Sequence, residues 1–331
     1  MGIIFTGTTQ LPAQTVKIAT YNIFFLDEAL TRERRANLQE VLQRLDADIL
    51  AFQEIKNPAA LRNILGDAYQ IAMIDDAGEI QETALAARPP FRIDSLRYVF
   101  PGKYYDLEFP RGRDLLQVQV SGYGREFVFL VHHAKSRGGG RRATDGQREG
   151  AAKLMLNYIR TALAGKNVVL LGDFNDNPDD RSLNILEYGD SNAPGGIDSA
   201  EDAFLFNATE NLLERDYCSY GYHEIYPGIA SDTFTLTVPG ARAENNKWRG
   251  NDSYNFETDV KIKAILFDQI LLSMNLKPFV AAAGVFNHAA AIRGERSEVR
   301  FSRSRPQYLK RGSLASDHAP VWVVLELSGQ P

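Results

Sequence analysis

The chain has 331 residues, of which 44% are hydrophobic and 24% are charged, as is typical of a soluble globular protein. No apolar run approaches the roughly 18–20 residues that a membrane-spanning helix needs, so no stable membrane insertion is expected. A formal net charge of −5 excludes a protein whose whole surface is positive.

Hydrophobic periodicity predicts strands and helices along most of the chain. In chain order, the predicted elements are a strand at 16–25, a helix at 32–45, a strand at 49–53, a helix at 61–65, paired strands at 115–120 and 127–131, a helix at 147–163, a strand at 168–171, a helix at 182–186, and strands at 265–273 and 321–327. Residues 190–259 show little periodicity and are expected to form long loops with short hairpins.

These elements mix without the strict strand–helix–strand alternation of a doubly wound sheet. The pattern predicts an α/β sandwich, in which two packed sheets carry helices on their outer faces. No linker divides the chain, and the candidate site residues come from both halves. Residues 1–331 are therefore expected to form one domain, with 1–15 as an N-terminal extension.

The most informative stretch is VVLLGDFNDNP, residues 168–178. A buried apolar strand is followed by a glycine and then by Asp173, Asn175 and a further carboxylate. A second run, SDHAPVWVVL, places Asp317 and His318 at the mouth of another apolar strand. Polar groups at strand ends are held rigidly beside solvent, so these runs predict metal-assisted hydrolysis of a phosphate ester.

Two residues near the N-terminus offer oxygen ligands at strand ends. Glu54 follows a short apolar run and is a good ligand for a hard cation, although an ordinary strand-end glutamate is the competing interpretation. Asn22 lies near the end of the first strand and could orient a ligand or cap a turn.

Histidines and one buried carboxylate complete the candidate set. His132 and His133 end the strand at Val131, and because adjacent strand residues face opposite sides, one of them should point into a site. Asp268 lies within an apolar strand and needs a partner, for which a histidine of a neighbouring strand is suited.

Two basic clusters adjoin the histidine motifs. The first contains Lys135, Arg137, Arg141, Arg142 and Arg148. The second contains Arg293, Arg296, Arg300, Arg303, Arg305, Lys310 and Arg311. A solvated charged face is one interpretation. The other is an electrostatic funnel for a polyanion, in which Lys135 and Arg137 contact the substrate.

Taken together, the motifs TYN at Asn22, QE at Glu54, HHAKS at His133, GDFN at Asp173, FDQILLS at Asp268 and SDH at His318 resemble the endonuclease/exonuclease/phosphatase superfamily. The resemblance runs from about residue 16 to residue 327 and points to its deoxyribonuclease I-like, bacterial nuclease-like branch. It implies a four-layer α/β sandwich of two mixed sheets flanked by helices. It also implies one or two divalent ions, Mg²⁺ or Mn²⁺.

The resemblance also implies roles for the matching residues. Glu54 resembles the metal-binding glutamate, helped by Asn22, and Asp317 a second metal ligand. Asp173 resembles the group that orients or deprotonates the attacking water, and Asn175 the amide that contacts phosphate.

The histidines and one carboxylate take further family roles. His318 resembles the histidine that stabilises the scissile phosphate, with Asp268 holding its ring. His133 resembles the second histidine of the deoxyribonuclease and sphingomyelinase branches.

Two departures from the family pattern bear on the choice of site residues. It reads HHAKS where the bacterial members tend to carry an Asn-His pair, so His133 is preferred over His132 by inference. The mid-chain arginine that the family often carries has no clean match, and Arg111 and Arg113 are equal candidates for it.

Three functions follow from these motifs. The first is a metal-dependent nuclease that acts on DNA or also on RNA, which the basic clusters favour. The second is a hydrolase of a lipid phosphate, an inositol phosphate or a small phosphodiester. The third, a catalytically dead binding scaffold, predicts the loss of an acid or base, and no such loss is seen. The enzyme is expected to act as a monomer.

The compartment stays open. Residues 1–14 lack the basic start and apolar stretch of a signal peptide, and the single cysteine, Cys218, weakly favours a reducing compartment. Because a chain can begin after a removed signal, both a cytoplasmic and a secreted location are compatible with the sequence.

Overall fold

The structure, a computed structural model, describes residues 14–76, 79, 81–110, 113–138, 140–221, 237, 242, 265–302 and 305–327, and of 142, 301–302 and 305–306 the backbone alone. The strands, in chain order, are β1 (Thr15–Leu26), β2 (Ile49–Ile55), β3 (Gln70–Met73), β4 (Glu82–Ala87), β5 (Arg92–Tyr98), β6 (Leu116–Gly122), β7 (Arg125–His133), β8 (Val168–Asp173), β9 (Leu205–Asn207), β10 (Asp268–Ser273), β11 (Val280–Val285), β12 (Glu298–Ser302), β13 (Arg305–Lys310) and β14 (Val321–Glu326). The helices are α1 (Arg32–Leu45), α2 (Pro58–Leu65), α3 (Arg141–Ala162), α4 (Arg181–Tyr188) and α5 (Glu210–Glu214).

Most of these strands form two six-stranded mixed sheets. The first has the order β11–β14–β1–β2–β4–β3, and the second has the order β5–β6–β7–β8–β10–β9. Within the described residues each sheet contains one parallel pair, β1 with β2 and β7 with β8. β12 and β13 pair with each other apart from both sheets. The predicted α/β sandwich is confirmed.

Three apolar cores separate four layers. The inner faces of the two sheets pack together through residues such as Ile18 of β1 and Phe129 of β7. α1 and α2 cover the outer face of the first sheet, where Leu38 is fully buried. α3 and α4 cover the second sheet, where Leu183 is fully buried. The order of layers is therefore helix, sheet, sheet, helix.

The predicted elements are found, with different ends. α1 has its predicted bounds because Thr31 caps its first turn by accepting a hydrogen bond from the amide of Arg34. α3 begins at Arg141, six residues before its predicted start. Its first turns are buried through ion pairs instead of apolar contacts, so apolar spacing does not reveal them. β1 begins at Thr15, and residues 1–13 of the predicted N-terminal extension lie outside the described residues.

Several strands have no clear sequence signal. β4 reads ETALAA and β11 reads VAAAGV, and alanine has little preference for strands. In the region 190–259, expected to be loops, the structure contains β9 and α5. Residues 222–236, 238–241 and 243–259 of that region lie outside the described part of the chain.

None of the described helices combines the length and the apolar character needed to cross a lipid bilayer.

Candidate active site

Strands of both sheets end at one edge of the sandwich and place polar side chains there. The carboxyl ends of parallel strands lie on the same side of a sheet, and the amino ends of antiparallel neighbours join them. The side chains at this edge are Asn22 on β1, Glu54 on β2, His133 on β7, Asp173 on β8, Asp268 on β10 and His318 just before β14. Residues more than 290 positions apart in the chain thus become neighbours.

Asp173 has hydrogen bonds from both sheets. Nδ2 of Asn22 donates to its Oδ2 at 3.0 Å, and the amide of Asn175 donates to its Oδ1 at 2.9 Å. Asn175 has a left-handed backbone, with φ at 51°, and its side-chain amide donates to the carbonyl of Ala134. Burial raises the pKa of Asp173 above its usual value. The carboxylate is held in a fixed position and is ready to accept a proton.

Glu54 reaches the site through an irregularity in the first sheet. Its φ is +64°, which is rare for a residue other than glycine, and the pairing of β1 with β2 shifts register beside it. The amide of Phe25 and Nε2 of Gln81 donate to its carboxylate. Burial, followed by the negative charge of Asp317, raises the pKa of Glu54 to about 7. A nearby cation would therefore be favourable.

His318 and Asp268 form a buried pair. Nδ1 of His318 lies 2.8 Å from Oδ2 of Asp268, and the hydroxyl of Ser219 donates to the same oxygen at 2.6 Å. Nε2 of His318 lies 3.9 Å from Oδ2 of Asp173. Burial alone would lower the pKa of His318, but the carboxylates of Asp268 and Asp173 raise it to about 10. The imidazole is positively charged at neutral pH.

The two adjacent histidines face opposite sides of β7. Nε2 of His133 lies 3.6 Å from Oδ2 of Asp173 and 3.7 Å from Oε1 of Glu54. His132 packs edge-on against Phe174 in the core. Burial, with the charge of Arg113, holds the pKa of His133 well below its usual value. His133 is therefore the neutral imidazole of the site.

Arg113, one of the two equal candidates, lies beside this group. Its guanidinium donates to the carbonyl of Ala134 at 3.0 Å and to the side chain of Gln81, which in turn contacts Glu54. Arg111 lies outside the described residues. Gln81 has no sequence signal, because it precedes an alanine-rich strand.

Asp317 and Tyr220 frame the histidine. Oδ2 of Asp317 accepts from Arg296 at 3.1 Å, so one arginine of the second basic cluster contacts the site through a carboxylate. The ring of Tyr220 stacks on Phe267 and lies 5.0 Å from the ring of His318. The ring of Tyr220 supports the imidazole, a contact that no sequence pattern predicted.

The first basic cluster differs from the sequence prediction. Arg137 is buried, donates through Nε to the carbonyl of Asn175 at 2.8 Å, and forms ion pairs with Asp176 and Asp180. Arg141 and Arg148 pair with the same two carboxylates. The guanidinium of Arg137 is thus engaged largely by the protein itself, and its contact with substrate stays a prediction. Lys135 is half-buried at the mouth of this network, where burial lowers its pKa.

The second basic cluster is also largely paired with acids. Its ion pairs are Arg293 with Glu40, Arg296 with Asp317, Lys310 with Glu295, and Arg311 with Asp27. Arg303 lies outside the described residues, as does the side chain of Arg305. Neither cluster presents a row of uncompensated charges in the described chain.

The donor atoms fit a hard divalent cation. Asp173, Asp268 and His318 each offer one atom, and these atoms lie within 4.8 Å of one another. A protonated imidazole has no lone pair for a metal, and Asp268 is already bound to it. Glu54 is the better ligand. Its hydrogen bonds come from neutral N–H groups, and the nearby charge of Asp317 favours a cation beside it.

Comparison with known protein families gives one match. The Endonuclease/Exonuclease/phosphatase family matches residues 19–318, which contain all the site residues described above. No curated protein matched the sequence.

Solved structures share this fold at low sequence identity. TDP2 of D. rerio, complexed with a single-strand DNA product, is 18% identical with a TM-score of 0.51, covering 94% of this chain and 98% of its own. A family protein from Bacteroides thetaiotaomicron is 17% identical with a TM-score of 0.50, covering 95% and 98%. ANGEL2, described as a 2′,3′-cyclic phosphatase, is 14% identical with a TM-score of 0.53, covering 95% and 97%.

Proposed function

The chain belongs to the endonuclease/exonuclease/phosphatase family, and on this premise we propose that it is a divalent-metal-dependent phosphodiesterase that cleaves nucleic acid. One observation carries the proposal. The buried carboxylate of Asp173 lies between two imidazoles at one edge of the sandwich. One is the neutral ring of His133, and the other is the charged ring of His318, which is paired with Asp268.

Asp173 is the general base in this scheme. A phosphodiester repels an anionic nucleophile, so catalysis consists mainly of positioning and charge neutralisation. Asp173 accepts a proton from water, and the hydrogen bonds from Asn22 and Asn175 fix the direction of its lone pairs. The left-handed backbone of Asn175 supports a functional role, since such conformations concentrate at active sites.

The two imidazoles act in different ways. His318 carries a positive charge beside Asp173 and stabilises the negative charge that develops on the phosphate. Asp268 positions this ring and keeps it protonated. The neutral His133 offers a hydrogen bond without adding charge.

Glu54 and Asp317 would hold the metal, and Asn22 supports them from β1. A bound Mg²⁺ or Mn²⁺ would supply positive charge to a nonbridging phosphate oxygen. Arg113 and Lys135, which contact the backbone of the segment that follows His133, would contact the phosphates that flank the scissile bond. Because both sheets contribute to the site, we propose that residues 1–331 act as one domain.

Nucleic acid is the substrate class that we favour. The D. rerio TDP2 neighbour is described with a single-strand DNA product, and ANGEL2 with a nucleoside vanadate. The chain also exposes the ring of Tyr104, at 87%, on which a base can stack.

A small phosphodiester is the second candidate. It is favoured by the ion pairs that engage Arg137, Arg141 and Arg148 inside the protein, since a substrate with one phosphate needs no extended basic track.

The test is hydrolysis of plasmid, linear duplex, single-stranded DNA and RNA beside bis-p-nitrophenyl phosphate, with Mg²⁺, Mn²⁺ or EDTA. We expect metal-dependent cleavage of a nucleic acid, and a loss of about 10²–10⁴-fold in Asp173→Asn and in His318→Ala. Circular dichroism would check that both variants fold. Turnover of the small ester alone would favour the second candidate, and full activity in either variant would refute the site.

A further inference from the structure

A second group of carboxylates lies apart from the proposed catalytic residues. One oxygen from each of Glu187, Asp198 and Glu210 lies within 4.8 Å of the other two. Glu187 is fully buried in α4, whereas Asp198 in the following loop and Glu210 in α5 are partly exposed. The group therefore joins three segments and is open to solvent on one side.

One oxygen of Glu187 has no hydrogen-bond donor. Its Oε1 accepts from Nδ2 of Asn207 at 2.5 Å, but its Oε2 is buried and has no partner among the described residues. Buried polar atoms are almost always paired, because an unpaired one has lost its hydration without compensation. A carboxylate in this position needs either a proton or a cation.

Among the described residues, too little positive charge surrounds these acids to balance them. Asp179 adds a fourth carboxylate, and Arg242 contacts it at 2.7 Å and Glu210 at 3.2 Å. Burial, followed by the charge of Asp198, raises the pKa of Glu187 well above its usual value. The guanidinium of Arg242 is thus one described positive charge beside four carboxyl groups, and this excess of negative charge belongs to the group as a whole.

We propose that Glu187, Asp198 and Glu210 form a second cation site, separate from the catalytic centre, that binds Ca²⁺. The donors are carboxylate oxygens, which suit hard cations and not Zn²⁺ or Cu²⁺. Ca²⁺ accepts irregular carboxylate geometry and loses its water readily, whereas Mg²⁺ demands a near-ideal octahedron. The ion would cross-link α4, the loop at 190–204 and α5.

The position of Tyr188 provides a direct probe. Its hydroxyl donates to Oδ1 of Asp198 at 3.0 Å, so the ring is adjacent to the bound ion. Tb³⁺, which replaces Ca²⁺, should show luminescence sensitised by tyrosine in the full chain, and added Ca²⁺ should displace it. Glu187→Gln should lose the part of the luminescence that Tyr188 sensitises, because the ion no longer binds there. Tyr188→Phe should lose the same part although it still shows the Ca²⁺-dependent rise in Tm described next.

Thermal unfolding gives the second measurement. At a Ca²⁺ concentration of about 100 times its Kd, the wild-type Tm should rise by roughly 5 °C. Glu187→Gln should lose this rise. In EDTA it should be at least as stable as wild type, because the amide replaces a buried carboxyl group that has to take up a proton when no cation is bound. Asp198→Asn serves if the first variant does not fold. Glu126→Gln, which neutralises an exposed carboxylate outside both sites, is the matched control that keeps the rise.

The outcomes separate cleanly. An unchanged wild-type Tm in Ca²⁺, or an equal rise in Glu187→Gln, overturns the site and leaves a cluster of protonated acids. Metal-dependent hydrolysis should persist in Glu187→Gln, so failure of this proposal is distinguishable from failure of the catalytic one.

Discussion

His318 and His133 line the same cleft with opposite charge states. Two carboxylates face His318 and raise its pKa to about 10, although burial acts in the other direction. Burial and Arg113 lower the pKa of His133 well below its usual value. The surroundings of each ring, not the residue type, therefore decide which imidazole carries charge toward a phosphate.

Asp268→Asn should move the alkaline limb of the pH–rate profile to lower pH. The proton on His318 is present below its pKa of about 10, so its contribution to catalysis is lost only as the pH rises through that value. Without the charge of Asp268, the lowering of the His318 pKa by burial is opposed chiefly by Asp173. We therefore expect the alkaline limb of the kcat profile to move down by roughly 1–3 pH units.

Ser219→Ala is the matched control for that experiment. It removes a neutral hydrogen bond to Asp268 and leaves its charge in place, so its alkaline limb should move much less. The pH dependence of kcat at saturating Mg²⁺ measures both variants. An alkaline limb in Asp268→Asn that coincides with the wild-type limb would contradict the assigned role.

At the scale of elements, the loop after β8 is held from the side of α3. Asp176 and Asp180 receive the guanidinium groups of Arg137, Arg141 and Arg148, and Arg137 also binds the carbonyl of Asn175. The arginines thus fix the loop that carries the Asp173–Asn175 pair.

Arg137→Ala should destabilise the protein by about 3 kcal/mol, because it removes one of the guanidinium partners of two buried carboxylates, which keep only Arg148 and Arg141. Arg44→Ala, which removes an exposed ion pair with Glu40, should cost only about 0.5 kcal/mol. Urea denaturation measures both. If Arg137 served the substrate alone, its removal would raise KM and leave the unfolding midpoint unchanged.

β7 and β8 approach each other closely at Gly172. Its φ is +146°, and a Cβ built there would lie 1.9 Å from the carbonyl oxygen of His132. Gly172→Ala should therefore cost about 3 kcal/mol or more. Gly165→Ala, at φ +73° with open space around it, isolates the backbone effect and should cost about 1 kcal/mol. Equal losses in the two variants, measured by chemical denaturation, would show that the close approach is unimportant.

At the scale of the whole molecule, apolar runs predict much of the fold. Runs such as VVLL at 168–171 have strong strand signals, and the helix at 32–45 has both its spacing and its cap. The alanine-rich β4 and β11 lack such signals, because alanine has little preference for strands.

The site is predictable where a polar residue directly follows an apolar strand, as at Asp173. The orientation of Glu54 depends on a register shift between β1 and β2, which neither strand reveals alone. The burial of Arg137 depends on carboxylates about 40 residues away, so its sequence neighbourhood suggested a solvent-facing charge instead. Long-range pairing of charges is what single-sequence patterns omit.

The internal pairing of the arginines predicts a weak salt dependence of nucleic-acid binding. Each phosphate contact contributes about −0.7 to the slope of log K against log salt for a single strand. Arg296 is paired with Asp317. We therefore expect Arg113, Lys135 and His318 to make the phosphate contacts, so the slope should be near −2. Fluorescence anisotropy of a labelled single-stranded oligonucleotide with Asp173→Asn, between about 50 and 200 mM KCl, measures it. A slope of about −5 or steeper would mean that a basic surface beyond the cleft binds the strand, because that many phosphate contacts exceed the cations gathered around Asp173.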